Sequence, residues 1–163
     1  MAKMDVLYPN EDRSLRGGYY LNVTAVVGRN GVNLPSDVVL VQALLAYLPD
    51  EWRGFPATKC PVVTGSFDSV TRAAIELYQK HHTPPPGRKI LLRCPTFGPM
   101  TPDGRVSTAR DGDYRYGSRS QIWTITSLNL HARLVGANRD EDYIQEIIAQ
   151  HSVIKNDILT PDV

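Results

Sequence analysis

Residues 34–48, LPSDVVLVQALLAYL, run straight into Pro49, and no other stretch restricts the fold as strongly. Val38, Val41, Leu44, Leu45 and Leu48 recur at helical spacing, which predicts an amphipathic helix with one apolar face. Ser36 is suited to the N-cap, and Asp37 stands where the helix dipole favours an anion. Pro49 cannot continue the helix and ends it. A helix with this much apolar surface must be covered by other elements, so the rest of the chain has to supply a packed core.

A second helix is predicted over residues 68–82, DSVTRAAIELYQKHH. Asp68 is its expected N-cap, and Val70, Ala74, Ile75, Tyr78 and His82 share its inward face. Lys80, His81 and His82 lie at the C-terminal end, where positive charge is favoured, and the prolines of TPPPG at 83–87 stop it. A third helix is expected over 120–134, with Ile122, Ile125, Leu128 and Leu134 inward and Trp123 flanking that face. Gly136 and Asn138 separate it from a fourth, about 139–155. There Asn138 and Glu141 resemble a capping box, and Tyr143, Ile144, Ile147, Ile148, His151 and Ile154 form a stripe.

Ahead of the helices, residues 1–18 read as a polar arm. Residues 19–27, YYLNVTAVV, alternate with period two and predict a short half-buried strand. Residues 49–66 are rich in Pro and Gly and predict an irregular connection. The stretch 83–120 reads as a long inserted loop or hairpin, with RKILLRC at 88–94 a possible strand inside it. The fold class is therefore mostly α, with little sheet.

Composition removes several classes of function. The chain has 163 residues, with 18 Lys+Arg against 17 Asp+Glu, a balance that argues against a protein whose main role is binding nucleic acid, since that affinity rests largely on clustered positive charge. No apolar run approaches the ~18 residues of a membrane span. Asp5, Glu11 and Asp12 interrupt any secretory-signal pattern, so the expectation is a cytoplasmic protein or one exported by a signal-independent route. His81, His82, His131 and His151 make no metal-ligand spacing, and no serine elbow, phosphate loop or calcium loop is present. Cys60 and Cys94 are each followed by proline, which removes a backbone N–H that an oxyanion would need. Both a single disulfide and two free thiols are open to this pair. No cofactor, metal or catalytic residue is expected.

Three segments carry a family resemblance. One contains Asp37-Val38 followed by Val41-Gln42-Ala43-Leu44-Leu45. Another runs from Thr64-Gly65-Ser66-Phe67 through Thr71 to Ala74-Ile75 and Tyr78-Gln79. The last joins Asp103-Gly104-Arg105-Val106 to a helix with Thr124 and Leu128-Asn129. In this order they resemble the peptidoglycan-binding-like domain, a small three-helix module of bacterial cell-wall hydrolases and envelope proteins. Thr64 stands where that family has Asp, and Asp68 where it has a second Gly. The resemblance implies a compact three-helix core over 19–135, interrupted by the insertion at 83–120 and followed by a C-terminal helical extension, 136–163.

It also implies a non-catalytic module that binds peptidoglycan or muropeptides in a groove between helices. The residues carried into that site are Gln42 and Tyr47 on the first helix, with Phe67, Thr71, Tyr78 and Gln79 at the second. An aromatic would stack on sugar, and amides and hydroxyls would read peptide and N-acetyl groups. The alternative is a protein–protein adaptor or structural subunit of a bacterial secretion or phage-tail-like assembly. Its interface candidates are Tyr114, Arg115, Tyr116, Arg119 and Trp123, whose types suit a contact patch.

Overall fold

The computed structural model describes residues 2–6, 19–83, 97–109, 115–116 and 121–159. The possible strand at 88–94, the prolines at 84–86, Cys94, Tyr114 and Arg119 lie outside the described residues.

Helix α1 spans Pro35–Tyr47 and is the axis of the molecule. Pro35 opens it, its fixed φ suiting the first helical position, and Leu34 precedes it without a side-chain cap. Ser36 is therefore not the N-cap. It lies inside the first turn, where its hydroxyl accepts the Ala2 N–H at 3.2 Å. The Asp37 carboxylate accepts the N–H groups of Thr24 (3.1 Å) and Ala25 (3.0 Å) and the Thr24 hydroxyl (3.1 Å). Every residue from Ser36 to Leu45 is buried, so the expected single apolar face is a helix covered all round. The reason is in the sequence: Val39, Leu40 and Ala43 make the opposite side apolar too.

Two short strands pair with each other ahead of α1 in the chain. β1 (Lys3–Val6) pairs antiparallel with β2 (Tyr19–Asn22), Met4 opposite Leu21 and Lys3 opposite Asn22. The expected strand at 19–27 is shorter than read, and it is not half-buried, because Tyr20, Leu21, Asn22 and Val23 are all buried. Beyond a bend, Val27 makes an isolated antiparallel bridge to Val106, with N–O distances of 3.0 and 2.7 Å.

The connection after α1 is more regular than its composition suggested. Pro49 caps a single turn, α2 (Asp50–Arg53), and a 3₁₀ turn covers Ala57–Lys59. Arg53 is buried, donating to the carbonyls of Leu48 (2.8 Å) and Phe55 (3.1 Å) and pairing with Asp50. It thereby satisfies a carbonyl left over at the C-terminal end of α1. Helix α3 spans Ser69–His81 with Asp68 as N-cap, its carboxylate accepting the Thr71 N–H at 2.7 Å. Val70 is the exception on the predicted inward face, at 45% exposed.

A two-residue pairing, β3 (Arg115–Tyr116) with β4 (Gln121–Ile122), precedes helix α4 (Thr124–Asn138). This helix starts and ends four residues later than predicted. Leu134 is 37% exposed rather than inward. Gly136 lies inside α4, because a Cβ there would stand 2.8 Å from the Glu141 carbonyl oxygen and 3.2 Å from the Tyr47 hydroxyl. Its role is close packing, not separation.

The predicted fourth helix is two helices, α5 (Tyr143–Gln150) and α6 (Ser152–Leu159), parted at His151. Asp142, not Asn138, caps α5, accepting the Ile144 N–H at 3.0 Å. The break turns α6 back across α1 and β1. Ala2, Leu21, Ile144, Ile147 and Ile154 consequently share one hydrophobic core with α1, α3 and α4. Among the described residues, no helix is long and apolar enough to cross a membrane.

Candidate functional site

Four of the six residues expected to meet ligand are fully buried: Gln42, Thr71, Tyr78 and Gln79. Gln42 projects from α1 onto the turn before α3. Its Oε1 accepts the N–H groups of Thr64 (2.9 Å) and Gly65 (3.0 Å), and its Nε2 donates to the Ser66 carbonyl (3.1 Å) and the Thr71 hydroxyl (2.9 Å). Gln79 repeats the arrangement one helix later. Its Oε1 accepts the Gly104 N–H (2.9 Å), and its Nε2 donates to the Arg105 carbonyl (2.9 Å) and the Thr124 hydroxyl (3.0 Å). Each glutamine thus ties a turn with a positive-φ glycine to the first turn of the next helix (Gly65 φ 80°, Gly104 φ 70°).

Tyr78 faces α4 and closes a ring-rich cluster. Its hydroxyl lies 2.7 Å from Ser127 Oγ and 2.6 Å from His131 Nδ1. His82 stacks on His131 with centroids 4.4 Å apart and donates from Nε2 to the Trp52 carbonyl at 2.6 Å. Burial, with a smaller contribution from His131, pushes the His82 pKa down to about 3. Among the described residues, no group of three His, Cys, Asp or Glu side chains is placed to hold a metal. Cys60 is half-buried, and burial raises its thiol pKa, which opposes thiolate chemistry.

Tyr47 and Phe67 are half-buried, and they are not neighbours of one site: Phe67 packs on the core edge, while Tyr47 lines a groove. That groove runs between the end of α1, the α4–α5 corner and α5, with a volume of about 400 Å³. Leu48, Val63 and Ile147 form its apolar part. Tyr47 donates its phenolic proton to Glu141 Oε2 at 3.0 Å, and the Arg139 guanidinium lies 5.2 Å from its ring centroid. Burial and then the bond to Glu141 raise the Tyr47 pKa to about 12.

A second cleft lies at the other end of α4, about 20 Å away along the helix. Its volume is about 120 Å³, and Thr101, Asp103, Arg105, Ser107, Gln121 and Trp123 line it, with Ile122 and Thr124. A turn at Asp103 and Gly104 brings Thr101, Asp103, Arg105 and Ser107 to this cleft, which residues 121–124 also line. Asp103 is fixed by accepting the Arg105 N–H at 2.9 Å and Gln79 Nε2 at 3.3 Å. The cleft thus sets an aromatic side chain beside a carboxylate, a guanidinium, a carboxamide and hydroxyls. This composition suits binding through stacking and several hydrogen bonds. Of the interface candidates, Trp123 belongs to this cleft, and Arg115 and Tyr116 form β3.

Sequence reading missed Asp103, Arg105 and Gln121 as site residues because they lie in segments without helical period. The turn pair Asp103-Gly104 was the signal available. Comparison with protein-family models, with curated proteins and with solved structures finds no match for this chain.

Proposed function

We propose that this protein is a non-catalytic module that recognises bacterial cell-wall peptidoglycan or its fragments, and that the Trp123 cleft makes the contact. One observation carries the reading. An aromatic side chain stands in a cleft with Asp103, Arg105, Gln121 and hydroxyls. Planar polar groups of this kind can bond paired hydroxyl or N-acetyl groups while the indole takes the apolar side of the ring. The repeated glutamine–glycine-turn–threonine clamp adds support for the family resemblance, since its residues are the ones on which the resemblance rests. In this reading Gln42, Thr71 and Gln79 shape the module, and Gln79 acts on ligand only by holding Asp103.

Co-sedimentation with isolated sacculi tests the proposal. The wild type should pellet with the wall, and Trp123→Ala, folded by circular dichroism, should lower the bound fraction about tenfold. A folded wild type that stays in the supernatant overturns it.

The adaptor reading is favoured by a different observation, the larger groove at Tyr47 with its apolar floor and charged rim.

A further inference from the structure

We infer that the Tyr47 groove is a docking site for a partner-protein segment that presents an apolar side chain next to a lysine or arginine. This deepens the adaptor reading and does not depend on wall binding. The floor of Leu48, Val63 and Ile147 offers an apolar side chain a place out of water. The charge on the rim selects what accompanies it. Glu141 and Glu146 both line the groove, and among the described residues Glu146 has no ion-pair or hydrogen-bond partner. Among the described residues Glu141 accepts only the Tyr47 hydroxyl, through Oε2, which leaves Oε1 available and holds the carboxylate at the ring.

Against these two carboxylates stands Arg139, which is exposed and makes no ion pair among the described residues. Its guanidinium lies over the Tyr47 ring instead, so the chain's own cation already marks that surface as one that receives positive charge. His151, the remaining titratable group of the lining, is held toward its neutral form by burial. The rim is therefore net negative, and an acidic or purely apolar segment would be less well matched than a basic one.

The test is an amide-resolved NMR titration of the full chain with Ac-Leu-Lys-Leu-NH₂ and with Ac-Leu-Glu-Leu-NH₂. The lysine peptide should give saturable shifts centred on Tyr47, Glu141 and Ile147. It should bind about fivefold or more tightly than the glutamate peptide, and this preference should shrink with added salt and in Glu146→Gln. Equal affinity for the two peptides, shifts scattered away from the groove, or no saturable shift overturns the inference. Sedimentation of the same preparation with sacculi keeps the readings apart: wall binding lost with peptide binding retained counts against the Trp123 proposal alone.

Discussion

At the scale of single residues, side-chain amides stand in for backbone. Asn129 on α4 accepts the Leu21 N–H at 2.9 Å and donates to the Leu21 carbonyl at 2.7 Å, as a neighbouring strand would. Asn22 does the same to Ala109, donating at 3.0 Å and accepting at 3.2 Å. Gln42 and Gln79 bond turns in this way. A buried carboxamide with its bonds made costs little, whereas leaving its backbone partners unpaired would cost about 1–3 kcal/mol each. A polar residue set inside VVLVQALL was readable as a group needing buried partners or a ligand. Sequence reports the type of group and not its direction, so a glutamine that clamps a turn and one that meets a ligand read alike.

His82 gives this scale its prediction. It is 1% exposed, uncharged, and surrounded by Tyr78 and His81 from α3, the Trp52 carbonyl from α2, and His131 from α4. Its folded pKa of about 3 lies below the ordinary 6.5, so between those values the unfolded chain binds the proton and the folded one does not. The stability this represents is fully present above pH 6.5 and is lost as pH falls toward 3, by at most about 1.4 kcal/mol per pH unit. Urea midpoints measured from pH 7 to 4.5 should fall accordingly. His82→Gln, which can still donate to the Trp52 carbonyl but does not titrate, should flatten that slope. An unchanged slope in the variant would assign the titration elsewhere.

At the scale of elements, the helices with a single apolar stripe were the legible ones. α3 begins at the predicted cap and ends within a residue of the predicted stop, because Asp68 and the prolines after it are local signals. The C-terminal part was less legible. Residues 143–154 carry one continuous stripe, yet the chain breaks at His151, since α6 has to return across α1 and β1. That requirement comes from distant strands and leaves no local mark. Gly136 misled for a similar reason: its neighbours are Tyr47 and Glu141, one of them 89 positions away in sequence. Gly136→Ala places a Cβ 2.8 Å from a backbone carbonyl, which cannot rotate aside, so the α4–α5 corner must shift. The helical propensity gained is about 1 kcal/mol, and overpacking should exceed it, for a net loss of about 1–2 kcal/mol. Thermal unfolding checks the sign, and a variant as stable as wild type would show that the corner yields freely.

At the scale of the whole molecule, the question is where the folding unit ends. The family resemblance expects a module closing near residue 135, with the N-terminal arm and C-terminal helices as additions. The packing around α1 argues for a larger unit. Ser36 is tied to Ala2, β2 is flanked by β1 and by Asn129, and α6 lies on both α1 and β1. Tyr143 donates to Asn129 Oδ1 at 2.7 Å, so α5 also completes the amide that holds β2. Cutting at 135 would strip Ile144, Ile147 and Ile154 from the core, at about 2 kcal/mol or more each. That loss approaches the whole stability of a domain this size, about 5–15 kcal/mol. A fragment of residues 19–135 should therefore show collapsed amide dispersion and no cooperative melt, whereas the full chain should melt in one transition. Native-like dispersion in the fragment would mean that α1 tolerates an open side, and that the terminal elements are additions to a self-sufficient three-helix core.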